Sequence, residues 1–129
     1  MRTFDIDGVI CMGDWVGVRP SPCDVIITGR SFEEANETDD FLQSHNITNR
    51  VYYNPVKFED KTRASSGEHK ARIIKQLQER GENVRCHFED DEVQAQVIEQ
   101  ETGLPVVLLM HNLVNKENVR RDANGNELR

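Results

Sequence analysis

Cysteine, aromatic residues, positive charge and long apolar runs are all scarce in this 129-residue chain. The three cysteines, Cys11, Cys23 and Cys86, are odd in number, and none belongs to a C-x-x-C pair. That spacing offers neither a disulfide framework nor a thiolate zinc motif, and it fits a reducing, cytoplasmic compartment with free structural thiols. The longest apolar run, "VVLLM" at 106–110, is far too short to cross a bilayer. Asp5 and Asp7 interrupt the N-terminus before a signal-length apolar segment can form. Lys and Arg number 16 against 23 Asp and Glu, a net charge of −7, which disfavours non-specific binding to nucleic acid or to an anionic membrane. The local exception is a basic stretch containing Lys57, Lys61, Arg63, Lys70, Arg72 and Lys75.

With 36% hydrophobic and 30% charged residues, the chain has a globular composition. Its length suits one domain with one core, placed at 1–115, followed by a polar tail at 116–129. "RTFDI" predicts a first strand that stops at Asp7-Gly8. The loose alternation of "VICMGDWVGVRP" predicts a small hairpin or flap over about 9–20, with Met12 and Trp15 as candidate lid residues. "DVIIT" predicts a buried strand ended by Gly29. Ser31 suits the N-cap of a helix with Phe32, Ala35, Phe41 and Leu42 on its apolar face. "RVYYN" is a third strand. Residues 56–66 read as a loop, and Ser65-Ser66-Gly67-Glu68 has capping-box spacing for a helix running to about Arg80, with Gly81 beyond its end. "VRCHF" is a fourth strand, a short helix carries Val93, Val97 and Ile98, and "PVVLLMHN" is a fifth strand.

Continuous apolar strands alternating with helices predict an α/β, Rossmann-like three-layer sandwich with a mostly parallel sheet of about five strands. In such sheets the ligand site lies beyond the carboxyl ends of the strands. Asp5, Asp7, Thr28, Glu89, Asp90 and Asp91 all fall at those ends, although they are spread along the chain.

The pair Asp5 and Asp7 in "FDIDGVI" has several readings when taken alone. Asp-Gly is ordinary turn chemistry. Asp5, Asp7, Gly8 and Asp14 fit part of an EF-hand calcium loop, but too few residues precede Thr3 for the incoming helix. A receiver-type signalling domain would need an acid at its third strand, where this chain has "VYYNP". Two like charges so close require compensation in any reading.

The order acid pair, threonine, lysine, acids is informative. "FDIDGVI", "VIITGR", Lys70 in "GEHKARII" and "HFEDD" resemble the four motifs of the haloacid dehalogenase superfamily, mostly phosphatases, over residues 3–112. The compact form is most similar to small bacteriophage members, whose setting would be the host cytoplasm. "ITGR" is also similar to the phosphatase domain of phage polynucleotide kinase. The resemblance implies a magnesium-dependent phosphohydrolase. Asp5 would be the nucleophile and Asp7 the proton donor and acceptor. Thr28 and Gly29 would hold phosphoryl oxygens, and Lys70 would neutralise charge, with Lys57 and Lys61 as weaker candidates. Magnesium would be held by Asp5, the Asp7 backbone carbonyl and Asp90, with Asp91 and Glu89 beside it. A one-residue shift would exchange Asp90 and Asp91. Arg30 would hold substrate or pair with the acidic helix after it, and His111 lies at the same edge.

Two departures from that pattern stand out. The roughly twenty residues between Asp7 and Thr28 hold a hairpin but no full helix, so one sheet face should be thinly covered; an oligomer contact, simplest as a homodimer, could compensate. There is also no room for a cap domain of usual size. The substrate expected by analogy is a nucleotide or a nucleic-acid terminal phosphate. The competing expectation is a weak or inactive protein that sequesters a phosphorylated ligand or a host protein.

Overall fold

Strand β1 (Thr3–Phe4) runs through the centre of a sheet in which every pairing is parallel. The structure, a computed structural model, describes residues 1–114, 120, 121, 123, 124, 127 and 128. After β1 come a small hairpin of β2 (Cys11–Met12) and β3 (Trp15–Val16), then β4 (Val25–Ser31), α1 (Ala35–Ser44), β5 (Val51–Asn54), α2 (Arg63–Glu79), β6 (His87–Glu89), α3 (Glu92–Thr102) and β7 (Val106–Leu108). The five-stranded sheet has the order β5-β4-β1-β6-β7. The chain therefore walks outward from β1 to β5, returns across the sheet to β6, and walks outward again on the other side. The reversal beside β1 opens a crevice at the carboxyl edge, where ligands of open parallel sheets bind.

Alternation along the strands sorts the core into two layers. Val25 and Ile27 of β4 point to the face covered by α2 and α3 and pack with Ala71, Ile74, Leu77 and Ile98. Ile26 points the other way and packs with Phe4, Ile6, Val9, Ile10, Leu42 and Ile47. Among the described residues, this second face carries only α1 and the base of the flap. Its cover is thin, as the short Asp7–Thr28 interval implied, and Val107 of β7 stays 39% exposed there. Phe4 and Phe88 stack on this face with centroids 4.6 Å apart, and the Arg2 guanidinium lies over both rings.

Several boundaries differ from the sequence-based expectation. The α2 helix starts at Arg63, because Thr62 and Ser65 form a reciprocal capping box; the Thr62 hydroxyl accepts from Ser65 N at 3.1 Å, and Ser65 Oγ from Thr62 N at 2.8 Å. Lys70 sits at the end of the second turn of this helix. The second sheet strand does not stop at Gly29: β4 continues to Ser31, with a register shift against β5 between Ile27 and Ser31, so Gly29 serves an irregularity rather than an end. Ser31 caps a 3-10 turn, Phe32–Glu34, before α1 begins, and Phe32 is left half exposed instead of joining the apolar face. Glu89 is the last residue of β6, not the first after it. The polar tail lies largely outside the described residues; within it Arg120–Arg121 pairs antiparallel with Glu127–Leu128.

The two helices of the thick face meet at Gly67. A Cβ there would lie 3.0 Å from Val97 Cβ and 3.1 Å from Gln94 Cα. Gly67→Leu is therefore expected to overpack this contact by ~1–3 kcal/mol and to lower Tm by roughly 5–15 °C. Calorimetry checks this, and an unchanged Tm would contradict the helix contact.

Candidate functional site

The parallel register of β1 and β6 pairs Thr3 with His87 and Phe4 with Phe88. With a period of two, Thr3 and Asp5 on one strand and His87 and Glu89 on the other all face α2 and α3. The Asp5 amide donates to the Phe88 carbonyl at 3.1 Å, which carries the pairing up to the carboxyl edge. There Asp5, Glu89 and Asp90, all buried, bring one carboxylate oxygen each within 4.8 Å of one another.

Lys70 enters from α2 and is fully buried. Its Nζ lies 2.7 Å from Glu89 Oε1 and 3.1 Å from Asp5 Oδ1. Only the first is an aligned hydrogen bond; Asp5 Oδ1 is buried without an aligned donor. Burial, then the charge of Glu89, push the Asp5 carboxyl well above its usual range, against the pull of Lys70. Burial raises Glu89 as well, again opposed by Lys70. Two further residues complete the line. Burial, and then Lys70, push His87 well below the usual imidazole range, so its ring is neutral. Nε2 donates to Glu89 Oε1 at 3.1 Å, and Nδ1 accepts from the Thr3 hydroxyl at 2.7 Å. Glu89 Oε2 accepts from the amides of Asp90 and Asp91. Thr3 and His87 were not singled out from sequence as site residues. The signal was present in their spacing of two from Asp5 and Glu89, but it needed the strand register to become visible.

The remaining acids are disposed differently. Asp91 caps α3 by accepting from Val93 N at 2.9 Å, takes a fork of hydrogen bonds from Arg63 at 2.6–3.1 Å, and accepts from Gln94 Nε2. Burial pushes Asp91 up, but the Arg63 guanidinium outweighs it and leaves the carboxyl below its usual range. Asp91 is thus occupied by the fold, and Asp90 is the member of the pair that joins the cluster. Gly8 makes this approach feasible. It has φ +80°, and a Cβ there would sit 1.9 Å from Asp90 Oδ2. Asp7 is gripped by Arg30, Nε to Oδ2 at 2.9 Å and Nη2 to Oδ1 at 2.7 Å, while Arg30 Nη1 donates to the Thr38 hydroxyl of α1. Of the two roles foreseen for Arg30, the structure displays pairing, with Asp7 and the start of α1.

Thr28 is buried at the end of the same edge, and its hydroxyl accepts from Arg30 N at 3.0 Å. The Gly29 carbonyl accepts from Asn54 Nδ2 and from Lys61 Nζ. Lys61 also pairs with Glu34, so it braces the loop after β5. His69, on α2 beside Lys70, is buried with no aligned partner on either ring nitrogen, and burial pushes it down to about 4. His111 Nε2 donates to the Gly8 carbonyl at 2.7 Å, and its Nδ1 accepts from Leu113 N. The flap approaches the same loop, since a Cβ on Gly13 would lie 3.2 Å from the Leu113 carbonyl.

Asp5, Glu89 and Asp90 gather like charge in one buried site, and Asp5 Oδ1 lacks an aligned donor. An all-oxygen donor set of this kind fits a hard divalent cation, which would relieve both. No family model, curated protein or solved structure matches this chain.

The charge excess has a thermodynamic signature. In the cation-free protein Asp5 keeps a proton that the unfolded chain has already lost, so this group's contribution to stability falls as pH rises from about 4 through its raised folded value. Asp5→Asn removes that dependence. The variant is expected to melt ~2–6 °C above the wild type at pH 8 in chelator, about 1 kcal/mol, with the gap narrowing toward pH 5. Saturating divalent cation should raise the wild-type Tm at pH 8 and not the variant's. Thermal melts at the two pH values, with and without cation, check all four arms.

Proposed function

We propose that the chain is a magnesium-dependent phosphohydrolase of the haloacid dehalogenase type, with Asp5 as nucleophile. The observation that carries the reading is the buried cluster of Asp5, Glu89 and Asp90 on Lys70, at the edge where the strand order reverses. Asp5 Oδ1 lies in this cluster without an aligned donor, and a bound cation would displace the Asp5 proton and leave a carboxylate able to attack an electrophile.

Magnesium would be held by Asp5 and Asp90, with Glu89 in reach and the Asp7 carbonyl supplied by the loop. When bound it offsets the repulsion between an anionic nucleophile and an anionic phosphate. Asp5 attacks phosphorus in line. The phosphorus–ester oxygen bond breaks as the Asp5–phosphorus bond forms, and the leaving oxygen takes a proton from Asp7. Water then attacks the phosphorus of the aspartyl phosphate and gives its proton to Asp7, and the bond to Asp5 breaks, releasing inorganic phosphate. Lys70 holds Asp5 in position and balances its charge, while Glu89, itself held by His87, holds Lys70. Thr28 offers its hydroxyl proton, and Gly29 its amide, to the transferring oxygens. Asp7 must leave the Arg30 fork to reach the leaving group, and the Asp5 side chain is only 2% exposed. Substrate entry therefore moves the acid loop or the flap.

Those same two facts favour a second reading, in which the site binds a phosphorylated ligand without turning it over. A panel of phosphate esters, including 3′- and 5′-phosphorylated oligonucleotides, separates the two. Wild type with magnesium should release phosphate. Chelation or Asp5→Asn should cost about a thousandfold or more, and Lys70→Met about a hundredfold. Release that survives Asp5→Asn would overturn the mechanism, and micromolar ester binding with no release would establish the second reading.

A further inference from the structure

Glu89 and Asp5 share Lys70 unequally. Nζ lies 2.7 Å from Glu89 Oε1 and 3.1 Å from Asp5 Oδ1, and only the bond to Glu89 is aligned. A lysine wholly committed to Glu89 would balance little charge on Asp5. The other partners of Glu89 set that division.

Both Glu89 oxygens are engaged. Oε2 accepts from the Asp90 and Asp91 amides at 3.2 and 3.4 Å. Oε1, the oxygen that holds the lysine, also accepts from His87 Nε2 at 3.1 Å. Two donors on one oxygen compete for its charge, so the imidazole weakens the pull of Glu89 on the ammonium. Neutralising Lys70 needs only Glu89. An additional buried imidazole on the same oxygen acts on how tightly the lysine is kept.

His87 has this effect only while its donor nitrogen faces Glu89. A neutral imidazole has one donor and one acceptor nitrogen. The Thr3 hydroxyl donates to Nδ1 at 2.7 Å, which leaves Nε2 as the donor, and the pairing of Thr3 with His87 across β1 and β6 keeps the two side chains together. Thr3, His87, Glu89 and Lys70 are all fully buried, so water does not replace a bond lost from this chain.

We infer that His87, with its ring locked by Thr3, is a positioning residue that loosens the hold of Glu89 on Lys70 and so leaves the ammonium for Asp5. The inference deepens the phosphohydrolase reading and rests on it for turnover; the placement of Lys70 is measurable without turnover.

The test uses the full-length protein and two pairs of substitutions. His87→Leu removes the donor and the acceptor, and His87→Gln restores both through an amide. Thr3→Val removes the hydroxyl, and Thr3→Ser restores it. The first readout is the NMR resonance of the Lys70 ammonium without magnesium, assigned by its loss in Lys70→Met. It should move in His87→Leu and Thr3→Val and hold its wild-type position in His87→Gln and Thr3→Ser. The second is hydrolysis of p-nitrophenyl phosphate with magnesium. In His87→Leu and Thr3→Val kcat should fall about tenfold while KM changes less than about twofold, and the Gln and Ser variants should recover it. If His87→Leu does not fold, the Thr3 pair decides alone. An ammonium unmoved by the Leu and Val substitutions, a kcat that rises in them, or a loss that Gln and Ser do not recover overturns the inference even if the ester is hydrolysed. An ammonium that moves and recovers as expected, in a wild-type protein that hydrolyses neither this ester nor the panel above, supports the positioning of Lys70 and overturns the hydrolase reading alone.

Discussion

The in-register pairing of β1 with β6 determines where the charges of this molecule lie. One side of that pairing is the flat stack of Phe4 on Phe88. The other side carries Thr3 beside His87 and, at the edge, Asp5 beside Glu89. A slip of one residue would exchange these faces, exposing the rings to the polar layer and driving four polar side chains against Ile6 and Ile26. Apolar burial on the thin face thus holds the carboxylates together on the thick face, against their mutual repulsion.

What those carboxylates meet is unequal. Five acids converge on the edge, and the fold answers two of them with arginine. Arg63 takes Asp91, and Arg30 takes Asp7, each with forked hydrogen bonds that suit a planar guanidinium. Asp5, Glu89 and Asp90 meet in one buried cluster, with Lys70 against Asp5 and Glu89. Replacing a buried ion cluster with apolar side chains usually costs a protein little or even stabilises it. A buried excess of like charge, supported by a neutral histidine and a threonine hydroxyl, is therefore poorly explained as a stability device. It is well explained as a site whose charge is completed by something that binds.

Much of this arrangement was legible before any coordinates. The apolar run within "DVIIT" is buried on both faces, and such runs alternating with helices implied a parallel sheet with acids converging on one edge. The choice between Asp90 and Asp91 was not legible, because it turns on Arg63, twenty-eight residues away in sequence and the first residue of a helix that starts earlier than its sequence suggests. Thr62 and Ser65 compete as caps with near-equal chemistry, and the tertiary pairing of Arg63 with Asp91 favours the earlier start. Glu89 was assigned a supporting place because strand ends are hard to locate to the residue. One more residue of β6 moved it into the cluster. His87 alternates with Phe88 along its strand and is buried with Thr3 and Glu89 as its partners.

The missing helix between β1 and β4 has a consequence for recognition. A full crossover helix would have covered the second face and left the edge to a separate lid. The chain instead forms a short hairpin whose Gly13 approaches Leu113, while His111 reaches back to Gly8. The loop after β1 and the loop after β7 are therefore mechanically joined across the crevice, with the Asp90 carboxylate between them on the Cα of Gly8. A ligand that displaces the 110–113 loop must disturb Gly8, and through Gly8 the position of Asp90. The 110–113 loop is thus coupled to the carboxylate cluster through Gly8.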